Sequence, residues 1–405
     1  MNYGLLGEKL GHSFSPQIHS QLASYEYVLV EKKPKEVESF LREKNFQGLN
    51  VTIPYKKTVF EFCDEISELA RRIGSINTIA NRDGKLYGDN TDYYGFRYMV
   101  RKLGIQVKGK KALILGNGGA APAVRAALED EGADKIVVIS RRGEDNYENL
   151  SRHYDAQIIA NTTPLGMYPN TGEAAIDLSC FPRCEAVYDL IYNPLKTKLL
   201  LMADRLGIPN IDGLSMLVAQ AKKSCEIFLN REIPDEKVEE IRKNLYQEVS
   251  NVCIIGMPGS GKTTVGKKLA ECLNKKFVDI DQEIVRTEGK EIPDIFREVG
   301  EEGFRKIETS ILSQVTKEKG QVIATGGGVV VCPENWELLR QNGKVVFIQR
   351  DLRQLEIDGR PISQSRPLSQ IYEERIDAYN SWSDFHVENV KVAKTVKEIL
   401  SGLEG

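Results

Sequence analysis

Two glycine-rich turns, each directly after a short apolar run, constrain the fold of this chain most. The first turn spans residues 116–119 after the apolar run 112–115, and the second spans residues 256–261 after the run 252–255. A glycine-rich turn between a strand and a helix lets the backbone approach a phosphate group, whose charge the helix N-terminus stabilises. A single doubly wound sheet rarely needs two such turns, so the sequence predicts two nucleotide-binding units.

Strand-like apolar runs alternate with helical patterns through most of the 405 residues. Further runs of this kind lie at 136–139 and 345–348. The alternation is typical of βαβ units and parallel sheets. At roughly 100–200 residues per domain, the length is enough for two or three domains. We therefore predict an α/β fold.

A helical pattern that ends near residue 249 marks the junction between the two units. Its apolar residues are spaced by three, four and four positions: Val238, Ile241, Leu245 and Val249. This spacing places them on one face of a helix, and a new strand-like run begins at Asn251. The sequence therefore predicts one domain over residues 1–248 and another over 250–405, with little free linker between them.

The charge balance and the cysteine pattern argue against several classes of protein. With 55 basic and 58 acidic residues the net charge is −3, which argues against binding nucleic acid through bulk electrostatics. No apolar run reaches the ~18–20 residues of a membrane span, and we expect no secretion signal at the N-terminus. The seven cysteines are scattered without a CxxC pair, and the four histidines show no metal-ligand spacing with them. This pattern favours reduced thiols in the cytoplasm.

The first glycine-rich turn has the features of a dinucleotide site. Gly116 and Gly118 match two glycines of the dinucleotide fingerprint, and Ala121 stands at the third position. The next strand ends in Ser-Arg-Arg at residues 140–142, where NAD sites usually carry an acid. Two guanidinium groups there favour the extra 2′-phosphate of NADP. The alternative is that both arginines are ordinary solvated surface residues.

Short polar side chains cluster in four segments of the first half, at residues 11–16, 50–56, 77–78 and 89–92. A polyhydroxylated carboxylic acid needs neutral donors and acceptors of this kind, together with one proton carrier. A lysine at position 56 beside an aspartate can carry that proton if the pair is buried or the pKa of the lysine is lowered. Taken singly, each segment is also typical of an ordinary turn.

Taken together, eight motifs in order along residues 1–248 resemble shikimate dehydrogenase. They are Gly11-His-Ser-Phe-Ser-Pro, Asn50-Val-Thr-Ile-Pro-Tyr-Lys, Gly74-Ser-Ile-Asn-Thr, Asp89-Asn-Thr-Asp, Gly116-Asn-Gly-Gly-Ala, Asn161-Thr-Thr-Pro-Leu-Gly-Met, Tyr188-Asp-Leu-Ile-Tyr and Asp212-Gly-Leu-Ser-Met-Leu-Val-Ala-Gln. The resemblance implies an α/β substrate subdomain over about 1–93 and 213–248, and a Rossmann subdomain that binds NADP over about 94–212.

The resemblance also implies a role for individual residues of the first half. Lys56 and Asp92 are implied to be the catalytic pair. The residues implied to bind substrate are Ser13, Ser15, Asn50, Thr52, Asn77, Tyr192 and Gln220. The residues implied to bind the cofactor are Gly116, Asn117, Gly118, Gly119, Ala120, Ser140, Arg141, Arg142, Asn161, Thr162, Met167, Gly213 and Met216.

The second glycine-rich turn matches the complete phosphate-binding loop of nucleotide-binding proteins. The loop residues are Gly256, Met257, Pro258, Gly259, Ser260, Gly261, Lys262, Thr263 and Thr264. Its backbone N–H groups surround phosphates, its lysine neutralises them and Thr263 is suited to bind Mg²⁺. The following strand ends at Asp279 and Asp281. One of these carboxylates can support the Mg²⁺ ion while the other faces an acceptor hydroxyl.

Several pieces of residues 250–405 together resemble shikimate kinase. They are the phosphate-binding loop, Asp279-Ile-Asp, Ile295-Phe, Gly300-Glu-Glu-Gly-Phe-Arg-Lys-Ile-Glu, Gly326-Gly-Gly and Arg375-Ile-Asp-Ala-Tyr. The resemblance implies an NMP-kinase-like α/β domain with a lid, and Asp281 and Lys262 as catalytic residues. Thr263 and Asp279 are then predicted to hold the metal. The residues implied to contact shikimate are Asp281, Phe296, Phe304, Arg305, Gly327, Gly328 and Arg375. A structural role for any one arginine is the alternative.

The lid arginine, which is implied to bind ATP, has two candidates. Arg360 keeps the more family-like separation from Arg375, whereas Arg366 stands in the better-matching Arg-Pro-Leu triplet. We favour Arg360. Both candidates are followed by proline.

The two resemblances share one metabolite. They imply that NADPH reduces 3-dehydroshikimate to shikimate and that MgATP then phosphorylates shikimate to shikimate 3-phosphate, in chorismate and aromatic amino-acid biosynthesis. One alternative is that one half is catalytically silent and regulatory. Another is that the dehydrogenase half uses quinate and NAD. The intact lysines and aspartates count against the first alternative, and the missing acid at 140–142 counts against NAD. The oligomeric state stays open.

Overall fold

The computed structural model describes residues 3–11, 13–355 and 366–404. The chain divides into two compact units: Met1–Tyr192 with Met202–Leu245, and Asn193–Leu201 with Tyr246–Gly405. The grouping of 193–201 with the second unit has no counterpart in the domain limits expected from the sequence. Three separate sheets and the helices around them form the structure, which confirms the α/β prediction. Over the described ranges, no helix has the length and apolarity to cross a membrane.

A six-stranded mixed sheet opens the first unit. Its strands are β1 (Tyr3–Gly7), β2 (Tyr27–Glu31), β3 (Gly48–Val51), β4 (Glu65–Ile66), β5 (Thr78–Arg82) and β6 (Lys85–Asp89), in the order β2-β1-β3-β5-β6-β4. Its helices are α1 (Ser15–Leu22), α2 (Pro34–Glu43) and α3 (Glu68–Ile73). Strands β5 and β6 form a hairpin whose turn, Asp83 and Gly84, has positive φ at both residues. An Asp-Gly pair is preferred there because this type of turn matches the twist of the strands.

A five-stranded parallel sheet follows, ordered β11-β10-β9-β7-β8. Its strands are β7 (Lys111–Leu115), β8 (Lys135–Ile139), β9 (Ile158–Asn161), β10 (Ala186–Asp189) and β11 (Asn210–Ile211). The helices of this region are α4 (Asp92–Leu103), α5 (Ala121–Asp130), α6 (Lys198–Arg205), α7 (Leu214–Leu229) and α8 (Glu236–Val249). Strand β7 is almost wholly apolar because both faces of a parallel sheet are covered.

The second unit is built on another five-stranded parallel sheet, ordered β13-β14-β12-β15-β16. Its strands are β12 (Asn251–Ile255), β13 (Lys276–Asp279), β14 (Gln321–Ala324), β15 (Gly343–Gln349) and β16 (Phe385–Glu388). The helices are α9 (Lys262–Leu273), α10 (Ile280–Glu288), α11 (Ile292–Val315), α12 (Asn335–Arg340), α13 (Leu368–Trp382) and α14 (Val392–Glu404). Helix α11 is broken at Gly300, whose φ is 68°.

Each glycine-rich turn follows a strand at which the strand order of its own sheet reverses. Strand β7 lies between β8 and β9, and strand β12 lies between β14 and β15. The helices that follow neighbouring strands then depart to opposite sides, which leaves a crevice at the carboxyl ends of the strands. Ligands of open α/β sheets bind in such crevices. The topology therefore places each turn where a nucleotide phosphate binds.

Candidate active sites

A lysine–aspartate ion pair lies beyond the carboxyl end of β3 in the first sheet. Lys56 follows β3, and Asp92 is the first residue of α4. The Lys56 Nζ atom lies 2.5 Å from Asp92 Oδ2, and the two side chains are only 16% and 10% exposed. The N-terminus of α4 favours the negative charge of Asp92. The structure thus brings together the two residues predicted to be the catalytic pair, in a largely buried position.

The second oxygen of Asp92 is held by Asn77. Asn77 Nδ2 donates to Asp92 Oδ1 over 2.9 Å. Asn77 Oδ1 in turn accepts the backbone N–H of Thr91 over 2.7 Å. Both carboxylate oxygens therefore have fixed partners, which holds the plane of the carboxylate and the direction of the lysine ammonium group.

Two serine hydroxyls meet at the start of α1. Ser13 Oγ lies 3.1 Å from Ser15 Oγ and accepts the backbone N–H of Ser15 over 3.2 Å. Phe14, between them, packs on Tyr192 with ring centroids 5.9 Å apart. Burial raises the pKa of the Tyr192 phenol above its usual value. Hydroxyls at a helix N-terminus are suited to bind a carboxylate.

Three other predicted substrate residues differ in how far they are committed to internal contacts. Asn50 is buried, and its amide bonds the hydroxyls of Tyr27 and Ser224 over 2.8 and 2.7 Å. Gln220 is partly exposed on α7, and its side-chain amide donates to the Leu217 carbonyl over 2.9 Å. Thr52 is partly exposed after β3. Tyr27 and Ser224 were not among the predicted site residues. Ser224 could have been found, because it stands one helical turn after Gln220 and therefore on the same face.

The first glycine-rich turn borders the lysine–aspartate pair. Gly116 has a φ of 95°, and a Cβ there would lie 2.8 Å from Thr163 Cγ2. Asn117, Gly118 and Gly119 are exposed, so their backbone is open to a ligand. A Cβ on Gly119 would lie 3.9 Å from Lys56 Cδ. The turn predicted to bind the cofactor and the predicted proton carrier therefore face one cleft.

The other residues predicted to bind the cofactor differ in burial and in their contacts with the protein. Thr162 Oγ1 donates to Leu115 O over 2.8 Å, and Asn161 Nδ2 donates to Asp189 Oδ1 over 3.0 Å. These two side chains are therefore engaged inside the protein, whereas Met167 is 44% exposed. Further members are half-buried Ala120, half-buried Ser140, exposed Arg141 and Arg142, and buried Gly213 and Met216. A Cβ on Gly213 would lie 2.0 Å from Leu190 O, so only glycine fits there.

The second glycine-rich turn has the conformation of a phosphate-binding loop. Gly256, Gly259 and Gly261 all have positive φ, which favours glycine. Lys262 Nζ donates to the carbonyls of Gly256 and Met257 at 2.9 Å. The rest of the predicted loop is Pro258, Ser260 and Thr264. Over the described part of the chain, Ser260 Oγ is buried without a hydrogen-bond partner, which fits a loop that binds phosphate.

A hydroxyl–carboxylate pair suited to Mg²⁺ lies beside this loop. Thr263 Oγ1 donates to Asp279 Oδ2 over 2.7 Å. The other oxygen of Asp279 accepts the backbone N–H of Asp281 over 3.1 Å and so caps α10. Hydroxyl and carboxylate oxygens are the protein ligands that Mg²⁺ prefers. The two residues therefore fit the metal role predicted for them.

The glycine tripeptide 326–328 touches the predicted acceptor site at every position. A Cβ on Gly326 would lie 3.0 Å from Asp281 Oδ1, one on Gly327 2.5 Å from Pro258, and one on Gly328 2.0 Å from Arg305 Nη2. The Gly327 carbonyl accepts Arg375 Nη1 over 3.1 Å and also the hydroxyl of Tyr379. The aromatic rings of Phe296 and Phe304 lie 4.4 Å apart. The structure thus gathers the residues predicted to contact the acceptor.

Glu308, which was not among the predicted site residues, is fully buried in this site. Arg305 Nη1 donates to Glu308 Oε2 over 2.6 Å. The pKa of Glu308 is raised above its usual value, because burial outweighs the lowering effect of the positive charges of Arg305, Arg375 and Lys262. Its position three residues after Arg305 on one helix was the available signal.

The two candidate lid arginines lie at the gap in the described residues. Arg360 lies outside the described residues. Arg366 is partly exposed and forms an ion pair with Glu374 of α13. The choice between them stays a prediction.

Comparisons with known proteins identify relatives of both halves. The family model for the shikimate dehydrogenase substrate binding domain matches residues 5–79, and the shikimate kinase model matches residues 258–404. Shikimate dehydrogenase (NADP(+)) of Clostridium perfringens (strain SM101 / Type A) is 39% identical over 268 residues, which cover 61% of this chain and 97% of that protein. Both resemblances seen in the sequence are thereby confirmed.

Solved structures match the dehydrogenase-like part. A chorismate mutase/shikimate 5-dehydrogenase fusion protein from Clostridium acetobutylicum is 39% identical with a TM-score of 0.57, over 60% of this chain and 96% of that one. Shikimate 5-dehydrogenase from Thermus thermophilus, in complex with NADP(H) and shikimate, is 28% identical with a TM-score of 0.56, over 60% of this chain and 99% of that one. The matches confirm the predicted Rossmann-type architecture.

Proposed function

Because the chain belongs to the shikimate dehydrogenase family and residues 258–404 match the shikimate kinase model, we propose that it catalyses two consecutive reactions of aromatic amino-acid biosynthesis. It reduces 3-dehydroshikimate to shikimate with NADPH, and it phosphorylates shikimate with MgATP to shikimate 3-phosphate. The observation that carries the proposal is that each half has its own full set of reactive groups. We assign residues 1–248 to the dehydrogenase and 250–405 to the kinase.

In the dehydrogenase reaction, the side chains of the chain hold the substrate and supply a proton. NADPH, when bound at the first glycine-rich turn, supplies the hydride that reduces the ketone carbon. Lys56 donates a proton from Nζ to the ketone oxygen as that oxygen becomes a hydroxyl. Asp92, 2.5 Å from Nζ, keeps the lysine oriented. Ser13 and Ser15 bind the substrate carboxylate.

In the kinase reaction, positioning and charge stabilisation are the main contributions of the protein. ATP with Mg²⁺, when bound, supplies the phosphoryl group. Lys262 neutralises phosphate charge, while Thr263 and Asp279 hold Mg²⁺. Asp281 accepts the proton of the attacking hydroxyl. The guanidinium groups of Arg305 and Arg375 are suited to bind the carboxylate of shikimate.

A coupled assay tests the proposal on the intact chain. With 3-dehydroshikimate, NADPH and MgATP present, we expect loss of NADPH absorbance and formation of ADP, with shikimate 3-phosphate as the final product. Without 3-dehydroshikimate both signals should be absent, and added shikimate should restore ADP formation alone. A chain that binds shikimate but turns over neither cofactor would instead support the regulatory alternative.

We expect Arg141 to determine the preference for NADP over NAD. Its side chain is exposed just beyond the end of β8, where a 2′-phosphate binds in this fold. Removing one hydrogen bond to a charged group costs ~1.5–3 kcal/mol, so Arg141→Ala should raise the KM for NADPH about 10- to 100-fold. The KM for NADH should change little. Steady-state kinetics with both cofactors, with the exposed Arg183→Ala as control, measure this. Equal use of both cofactors by the unmutated chain contradicts the assignment.

We also propose a cytoplasmic location. All seven cysteines lie among the described residues, and all are free thiols. Free thiols are typical of proteins in a reducing compartment.

A further inference from the structure

A layer of buried polar side chains includes two residues of the predicted shikimate site of the dehydrogenase. Its members come from separate segments and are each at most 5% exposed: Asn50, Asn77, Thr78, Thr91 and Ser224. Buried polar groups are costly unless each hydrogen bond is made. The pattern of donors and acceptors in this layer is therefore tightly constrained.

The hydrogen bond at the side-chain oxygen of Asn50 fixes which way its amide group is turned. The Tyr27 hydroxyl donates to Asn50 Oδ1 over 2.8 Å. Burial raises the pKa of Tyr27 well above its usual value, so the phenol stays protonated as a donor. The Asn50 NH₂ group must then point the other way. It donates to Ser224 Oγ over 2.7 Å and reaches Thr78 Oγ1 at 3.2 Å.

The Ser224 hydroxyl is the point where these contacts meet. Its own proton goes to the carbonyl of Gln220, 2.9 Å away. Its two lone pairs are therefore left for incoming donors. The Asn50 amide takes one of them. Only one further donor fits, and two threonine hydroxyls lie within reach: Thr78 at 2.8 Å and Thr91 at 3.0 Å.

The same count applies at Asn77 Oδ1, which also accepts two hydrogen bonds. The Thr91 backbone N–H takes one of them over 2.7 Å. One place remains, and the hydroxyls of Thr78 and Thr91 lie 3.0 and 3.1 Å away. Two threonine protons thus have two close places, one on Ser224 and one on Asn77. The other contacts of these hydroxyls are longer, at 3.2 Å between Thr78 and Thr91 and 3.4 Å from Thr91 Oγ1 to Gln220 Oε1. The other end of the Asn77 amide holds Asp92.

We propose that Ser224 is a positioning residue of the dehydrogenase reaction. Its hydroxyl provides the acceptor that completes this hydrogen-bond count, and so it fixes the orientation of the amides of Asn50 and Asn77, which the proposed function assigns to shikimate binding. Ser224 itself does not touch the reacting atoms. The inference rests on the proposed function, since it assigns a support to the shikimate site of that function.

Removing the Ser224 hydroxyl should weaken shikimate binding selectively. In Ser224→Ala the Asn50 amide keeps acceptors only at 3.2 and 3.4 Å, and one threonine proton loses its place on Ser224. We expect the KM for shikimate to rise about five- to tenfold, as for one lost buried hydrogen bond. The KM for NADP⁺ and the kcat should change less than about twofold, because the Lys56–Asp92 contact remains. Cys225→Ala, the next buried residue of α7, is the control and should leave all three values unchanged.

A double variant distinguishes the hydrogen-bond count from a general loosening of the helix. Thr91→Val removes one of the two threonine protons and leaves the Thr78 hydroxyl as an acceptor for Asn50. In Thr91→Val with Ser224→Ala, the one remaining threonine proton therefore has the one free place on Asn77, and donors again match acceptors. We expect the KM of the double variant to be clearly lower than the product of the two single effects predicts. Multiplying effects, or an unchanged KM in Ser224→Ala, overturns the inference. Equal rises in the KM of shikimate and NADP⁺ also overturn it. Absence of shikimate oxidation by the unmutated chain would instead contradict the proposed function.

Discussion

Replacing Lys56 by alanine is expected to lower the kcat of shikimate oxidation by about 10²- to 10⁴-fold, the usual contribution of a general acid or base. The loss should appear equally in kcat and kcat/KM, because the proton moves only in the transition state. The side chain is 16% exposed and has the Asp92 carboxylate 2.5 Å away. No other lysine of the described chain forms an ion pair with Asp92. No second lysine is therefore positioned to carry the proton in place of Lys56.

The neighbouring residue provides the control for this variant. Lys57 is exposed, and Lys57→Ala removes the same charge one position further along the chain. It should leave the kcat near that of the unmutated protein. A near-normal kcat in Lys56→Ala would show that another group carries the proton. ADP formation from added shikimate should be unaffected in both variants.

Lys262→Ala is expected to reduce the rate of ADP formation by about 10²-fold or more, the scale of losing one preorganised charge-stabilising group. The lysine is buried at the start of α9, and its ammonium is already directed into the loop by the carbonyls of Gly256 and Met257. Phosphates that enter the loop meet a positive charge with a fixed position. Shikimate oxidation with NADP⁺ should continue at a nearly normal rate in this variant.

Helix α9 itself offers a matched control for Lys262. Lys268 lies on the same helix, is exposed, and pairs with Glu271. Exposed pairs of this type contribute little, so Lys268→Ala should keep both activities. The two lysine variants, Lys56→Ala and Lys262→Ala, also test whether the halves work independently. If either variant loses both reactions while its circular dichroism spectrum is unchanged, independence is contradicted.

Local chemistry made much of this molecule predictable from sequence. The glycine-rich turns were predictable because a backbone with positive φ, open to a ligand, favours glycine. The same holds for Lys262 and Thr263, whose roles follow from their fixed spacing to the loop. The strands 112–115 and 252–255 were recognisable because parallel strands buried on both faces are continuously apolar.

Contacts between distant segments could not be predicted in the same way. Asn50 and Ser224 bond each other across 174 positions of sequence. The spacing from Gln220 places Ser224 on the same helix face, but it does not identify Asn50 as the partner of Ser224. A serine within an amphipathic helix looks like an ordinary small residue. Glu308 resembles a surface ion-pair partner of Arg305 until the fold shows that it is fully buried. The contacts of Asn50 and Asn161 with neighbouring protein groups were hidden for the same reason, and their ligand roles stay predictions.

The glycine tripeptide 326–328 has a consequence for which missense mutations this gene can accumulate. Each of the three positions is backed by a different part of the kinase site: Asp281 and Glu308, then Pro258, then the guanidinium of Arg305. Every missense mutation at these codons adds a Cβ where another group already stands. Gly172 has open space around the same point and no positive φ. We therefore expect purifying selection for phosphorylation to act on all three codons of the tripeptide, whereas the codon for Gly172 is under no such steric constraint.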